Sequence, residues 1–85
     1  MQTYYLTLDS KDTKESLHEK IKRLFDFPAY YGANLDALND CLSERIKKCR
    51  LWIRGAETTP RDIQSLLDGI ETVFQDNGNT VSRLD

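Results

Sequence analysis

The chain of 85 residues has little of several things that mark specialised proteins: one histidine, two cysteines, two prolines and four glycines. Scarce proline and glycine, with apolar residues at 39% and charged residues at 31%, exclude a disordered chain and leave an ordinary soluble globular one. Two cysteines, Cys41 and Cys49, are too few for a disulfide scaffold. Read as eight helical residues apart, they stand about 12 Å apart along the axis, whereas a bridge needs Cα atoms within roughly 7 Å. Cys41 falls among the apolar positions of a helix, so a reduced, buried thiol and a cytoplasmic location are expected. A lone histidine, His18, without a C-x-x-C pair argues against zinc, and no serine, cysteine or aspartate at helical spacing places it in a catalytic triad. His18 therefore reads as a surface or cap residue. The start, "MQTYYLTLDSKD", has no basic segment followed by an apolar run, and no stretch is long and apolar enough to span a bilayer. Neither a secretory signal nor a membrane partner is expected. The net charge of −2 conceals 12 basic and 14 acidic side chains, so a strongly basic nucleic-acid binder is disfavoured and the placement of charge matters more than its sum.

What is present fits one domain over residues 1–85, because at this length only about 60% of the unfolded surface is buried and a second core could not be supported. "TYYLTL", Thr3 to Leu8, has the aromatic and β-branched content of a strand. Asp12 or Thr13 can cap a helix in which Leu17, Ile21, Leu24 and Phe25 form an apolar stripe ending before Pro28. After a Pro28 to Gly32 turn, Asn34 is a good N-cap for a second helix with Leu35, Leu38, Leu42 and Ile46 on its buried side. Lys47, Lys48 and Arg50 then collect where the negative end of that helix dipole favours cations. "RLWIRG", Arg50 to Gly55, reads as a strand with Leu51 and Ile53 on one face and Trp52 on the other, which allows cover on both faces. Thr59 before Pro60 has the signature of a cap and first turn, and Ile63, Leu66, Leu67, Ile70, Val73 and Phe74 carry a helical stripe to about Asp76. Gly69 marks a place for a kink or a division. "TVSRL", Thr80 to Leu84, adds a short third strand. Strands separated by helices imply an α/β fold with a small three-stranded parallel sheet and helices packed on it, in the order β-α-α-β-α-β.

One segment is unusual. "YYGANLDALNDCLSE", Tyr30 to Glu44, places Asp36, Asp40 and Glu44 at spacings of four on the outward side of the second helix, together with Asn39 and Ser43. Carboxylates at i and i+4 repel by a few tenths of a kcal/mol, and no lysine or arginine at i+3 or i+4 relieves Asp36. Two tyrosines, Tyr30 and Tyr31, both expected to be exposed, stand immediately before them. A solvated helix face is the plain reading. An acidic patch flanked by aromatics instead suits a cationic protein partner.

Other chemistries fail on the same residues. A calcium loop counted from Asn34 would have Leu38, Asn39 and Arg45 where it needs an acid, a glycine and a glutamate. Glycoside hydrolysis needs carboxylates about 5 to 9.5 Å apart across a cleft, while Asp36 and Asp40 share one convex face. No phosphate-binding, dinucleotide-binding or nucleophile-elbow motif occurs. An enzyme, a cofactor and a metal are not expected.

The run "FPAYYGANLDALNDCL", Phe27 to Leu42, closely resembles the signature segment of barstar, the intracellular inhibitor of the bacterial ribonuclease barnase. "SLHEKIKRLF" resembles the family's first helix and "VFQD" a late helix with an acidic contact, so the resemblance extends over nearly the whole chain. It implies a barstar-like three-stranded parallel sheet and a proteinaceous ribonuclease inhibitor, immunity- or antitoxin-like, whose helix and preceding loop plug the enzyme's active site. By that resemblance Asp40 matches the acid that enters the phosphate pocket and Asp36 the acid that pairs with the basic rim. Tyr30 matches the aromatic that packs on the catalytic histidine, Asn34 a polar loop contact, Ser43 a hydroxyl contact, Asp76 a peripheral acid and Cys41 a buried helix cysteine. The implied partner is a basic extracellular or toxin-type ribonuclease in a 1:1 complex, with no nucleic acid bound and a monomer when free.

The chain departs from the family's pattern at Asn39, where the family typically carries Trp. At Arg45 the family often has a large aromatic, following a small residue where Glu44 now stands. The acidic part of the surface is kept and the apolar part replaced, which leaves open whether barnase itself or another ribonuclease is bound. The alternative is a barstar-fold module that uses the Tyr30 to Glu44 face for a different basic partner without inhibiting a ribonuclease.

Overall fold

The computed structural model describes residues 2–45 and 47–84. Its elements are β1 (Gln2–Thr7), α1 (Lys14–Leu24), α2 (Leu35–Ser43), β2 (Cys49–Arg54), a short 3-10 turn (Ala56–Thr58), α3 (Arg61–Asp76) and β3 (Thr80–Leu84). The three strands form one sheet in the order β1-β2-β3, parallel throughout, with Tyr5 opposite Trp52 and Trp52 opposite Ser82. This is the α/β fold and element order expected from the sequence.

Sequential strand order has a consequence. Two crossovers of the same hand, stepping in the same direction, deliver their helices to the same side of the sheet. Leu6, Leu51 and Ile53 are accordingly buried on that side together with Leu17, Ile21, Leu38, Leu42, Ile63, Leu67, Ile70 and Phe74. On the opposite side Tyr5, Thr7, Arg50 and Arg54 are exposed and Trp52 is half-buried, so helices cover one face of the sheet and not both. Lys20 shields the outer edge of β1: its ammonium donates to the Thr7 carbonyl at 2.9 Å and pairs with the buried carboxylate of Asp12 at 2.8 Å.

The helix ends are set by local chemistry. Thr13 caps α1 in a reciprocal box with Ser16, the Thr13 hydroxyl accepting from Ser16 N–H and the Ser16 hydroxyl accepting from Thr13 N–H. At the other end Asp26 takes the left-handed conformation (φ 53°), with Phe27 N–H donating to Lys22 C=O and Asp26 N–H to Arg23 C=O. Those two bonds define a Schellman ending and send Phe27 back into the core. α3 stops in the same way: Gly78 (φ 83°) donates to Gln75 C=O and Asn79 N–H to Phe74 C=O. Buried Asn79 also accepts from Cys49 N–H at 3.0 Å, tying the start of β2 to the end of α3.

Several expectations need correction. α2 ends at Ser43, with Glu44 as its C-cap and no base in the last turn, so Lys47, Lys48 and Arg50 do not sit on its dipole. Arg50 belongs to β2. Ile46 lies outside the described residues. Cys49 is the first residue of β2, fully buried, and both thiols are free. α3 runs unbroken through Gly69, where a Cβ would meet Leu35 Cδ1 at 2.9 Å: this glycine lets α3 approach α2 and does not divide the helix. Thr59 does not cap α3; its hydroxyl donates to Ala56 C=O at 2.6 Å, because the 3-10 turn precedes it and Pro60 holds the cap position.

Gly55 is conformationally required. It links β2 to the 3-10 turn at φ 82°, and a Cβ there would collide with the carbonyl oxygen of Leu8. Positive φ alone costs a non-glycine residue about 1–2 kcal/mol, and here the obstruction is backbone. Gly55→Ala is therefore expected to lower the unfolding free energy by about 2 kcal/mol or more in a urea titration.

Candidate functional site

The loop between α1 and α2 is anchored by alternate aromatics. Phe25 lies 4.4 Å from Tyr4, 5.8 Å from Phe27 and 5.3 Å from Phe74 by ring centroids, and Phe27 lies 5.3 Å from Tyr31. Tyr31 is thereby buried, while its neighbour Tyr30 is 77% exposed. The two tyrosines expected to act together at the surface thus separate into an anchor and a free ring.

Tyr31 is held further by His18, whose Nδ1 lies 2.7 Å from the Tyr31 hydroxyl. His18 is only 5% exposed, which corrects its reading as a surface or cap residue. It follows Leu17 and precedes Ile21 along the stripe of α1, and the buried tyrosine hydroxyl gives its ring a polar partner. Burial pushes the Tyr31 hydroxyl up to about 12 and holds His18 below its ordinary value, Glu15 opposing only in part. The unfolded chain therefore takes up a proton near pH 6.5 before the folded one does, and stability falls as pH drops below that point. The melting temperature is expected to decline between pH 7 and pH 5, and His18→Asn, which can still bond Tyr31, should flatten the decline. A melting temperature that rises on acidification over this range would contradict the assignment.

Asn34, extended at φ −146°, caps α2: its Oδ1 accepts from Ala37 N–H at 2.8 Å and its Nδ2 donates to Gly32 C=O at 3.2 Å. Preceding it, Ala33 is held at φ 52°, a left-handed conformation that costs a non-glycine residue energy and fixes the entry angle of the helix. α2 then buries Leu38, Cys41 and Leu42 and turns Asp36, Asn39, Asp40, Ser43 and Glu44 outward, all exposed as the spacing predicts. Ser43 spends its hydroxyl within the helix, donating to Asp40 C=O at 2.8 Å.

Tyr30, Tyr31, Gly32, Ala37, Asp40, Cys41 and Glu44 enclose a concavity of about 180 Å³ between the loop and α2. Its walls are aromatic and aliphatic and its rim carries two carboxylates, a combination that accommodates a cationic side chain. Burial, then Glu44 and Asp40, push the Cys41 thiol up, which disfavours the reactive thiolate. Among the described residues Asp36, Asp40, Glu44 and Asp76 form no ion pair, whereas Asp12, Glu19, Asp68 and Glu71 do. No group of three or more metal-ligating side chains occurs among the described residues, and no helix is long and apolar enough to cross a membrane.

Two neighbours of this surface were not foreseen. Arg45 turns inward, its guanidinium 5.3 Å from the Phe25 centroid and within hydrogen-bonding distance of Tyr4 Oη (3.3 Å) and Phe25 C=O (3.4 Å). Asn77, the C-cap of α3, donates through Nδ2 to Asn39 Oδ1 at 2.9 Å. That bond fastens the end of α3, and with it exposed Asp76, beside α2. Asn39 and Asn77 lie 38 residues apart, so spacing gave no signal for the pair.

These features define a small parallel-sheet α/β protein with an exposed acidic surface built from one loop and one short helix. The family model described as "Barstar (barnase inhibitor)" matches residues 1–83, and the chain belongs to the barstar family. It is also 50% identical over 74 residues to a Bacillus subtilis (strain 168) protein named "Putative ribonuclease inhibitor YrdF", a match that spans 84% of this chain and 81% of that protein.

Proposed function

We propose that this chain inhibits a bacterial ribonuclease by inserting α2 and the preceding loop into the enzyme's active site. The carrying observation is the set Asp36, Asp40 and Glu44, exposed on one face with no ion-pair partner among the described residues, beside the 77% exposed ring of Tyr30. A ribonuclease binds phosphates with arginine, lysine and histidine, and carboxylates placed at phosphate positions satisfy the same groups through short, charge-assisted bonds. Asp40, on the rim of the concavity, fills the centre of that role, with Asp36 and Glu44 on either side along the helix and Asp76 at the periphery. Tyr30 supplies the aromatic contact. Asn34 and Ser43, whose side chains are engaged in the cap and in the helix, chiefly hold the surface in shape.

The partner is a basic extracellular or toxin-type ribonuclease bound 1:1. The inhibitor is a cytoplasmic, immunity-like or antitoxin-like monomer with no catalysis of its own, and the two free buried thiols suit a reducing compartment. A second reading, a module for another basic protein, draws on the inward turn of Arg45 and the polar Asn39, which leave Tyr30 as the large exposed aromatic of the surface.

Ionic strength tests the electrostatic part. The Debye length contracts from about 30 Å at 0.01 M salt to about 3 Å at 1 M, so association with the ribonuclease should start well above the unsteered 10⁵–10⁶ M⁻¹s⁻¹ and fall steeply between those limits. Stopped-flow association rates that do not change with salt would reject the mechanism.

A further inference from the structure

The bond between Asn39 and Asn77 fixes more than the position of a side chain. Asn77 Nδ2 donates both to Asn39 Oδ1 and to the Val73 carbonyl, each at 2.9 Å. A carbonyl oxygen only accepts, so the Asn77 atom between them is necessarily its NH2 group. The Asn39 atom facing that NH2 must then be its oxygen, which turns the Asn39 NH2 group the other way. That group has no hydrogen-bond partner among the described residues, and Asn39 is exposed on the outward face of α2, between Asp36 and Ser43 in its helical row and next to Asp40. The surface therefore presents one oriented, uncharged donor among carboxylates that only accept.

We infer that Asn39, oriented by Asn77, is a specificity-determining donor, and that the ribonuclease this chain binds places a neutral hydrogen-bond acceptor against it. The inference rests on the inhibitor reading above. The acceptor is a backbone carbonyl, a side-chain amide oxygen or a hydroxyl and not a carboxylate, since an anion there would stand beside Asp36, three residues back in the same helical row. A partner offering an apolar patch at this point would leave the Asn39 amide buried and unpaired, which selects against it. Asn77 acts here as a positioning residue: it touches Asn39, and its second bond, to Val73 in its own helix, is what removes the ambiguity in the amide's direction.

The test measures dissociation constants for the tightest-inhibited enzyme in a panel of guanyl-specific microbial ribonucleases that includes barnase. The variants are Asn39→Leu, Asn39→Asp, Asn77→Ala, the double variant Asn39→Leu/Asn77→Ala and, as a reference, Asp40→Ala, each checked for folding by thermal melting. Asn39→Leu keeps the size and removes the donor, and should weaken binding roughly tenfold to a hundredfold. Asn39→Asp keeps the acceptor for Asn77 but offers the partner an oxygen, and should bind no better than Asn39→Leu. Asn77→Ala should weaken binding severalfold in the wild-type background and have no further effect on Asn39→Leu, a non-additivity that a merely structural Asn77 would not produce. Undiminished binding of Asn39→Leu, or an Asn77→Ala effect equal in both backgrounds, overturns the inference; if Asp40→Ala still abolishes inhibition, the inhibitor reading survives. A panel in which the wild-type chain inhibits no enzyme overturns both.

Discussion

Asp40→Ala is expected to weaken ribonuclease binding by about 2–5 kcal/mol, roughly 30- to 5,000-fold in Kd, because truncating one partner of a buried, hydrogen-bonded charge pair leaves the other charge unpaired in a desolvated site. The free protein should respond in the opposite direction. Asp40 stands four residues from both Asp36 and Glu44, so its removal abolishes two like-charge i,i+4 pairs on an exposed face. Each such pair costs a few tenths of a kcal/mol, and the variant should be equally stable or slightly more stable in urea. Calorimetric binding and denaturant unfolding together check the prediction. A variant that binds poorly because it has lost stability would show that Asp40 supports the fold and not the interface. The expected divergence is the signature of a surface kept for its partner at some expense to the free molecule.

Phe74→Ala is expected to lower stability by about 3–5 kcal/mol. Phe74 has 0% exposure and packs 5.3 Å from Phe25, the ring that also meets Tyr4 and Phe27. A chain of this size has roughly 4–13 kcal/mol in all, so the loss is a large fraction of the total and, at the lower end of that range, leaves none of it. At about 4–8 °C per kcal/mol, the melting temperature should fall by at least about 12 °C. The consequence reaches the candidate site, because the chain of rings from Phe74 through Phe25 and Phe27 to Tyr31 anchors the loop that presents Tyr30. Differential scanning calorimetry reads the effect directly, and a drop under about 1 kcal/mol would mean that these rings do not form a connected core.

Alternation and helical periodicity located the three strands and α3 to within a residue or so, and the outward set on α2 followed from the apolar row of Leu35, Leu38, Leu42 and Ile46, of which Leu38 and Leu42 are buried. What stayed hidden depends on contacts distant in sequence. Periodicity carries α2 past Ser43, yet Arg45 leaves the helix to lie over Phe25 and Tyr4, 20 and 41 residues away. Nothing local separates Tyr30 from Tyr31; the aromatic cluster and His18 decide which ring turns inward. The amide pair of Asn39 and Asn77 joins the outward side of α2 to the end of α3 across 38 residues, and no local pattern marks either residue for it. The acidic face was legible because its residues share one helix. Its supports were not, because they come from three other elements.

The most direct test of inhibition is a titration of this chain into a guanyl-specific microbial ribonuclease at fixed concentration, well above the expected Kd, with residual RNA cleavage as the readout. Activity that falls linearly to zero at one equivalent is the predicted result. Cleavage undiminished at a large molar excess, across a panel of such enzymes with barnase among them, would contradict it.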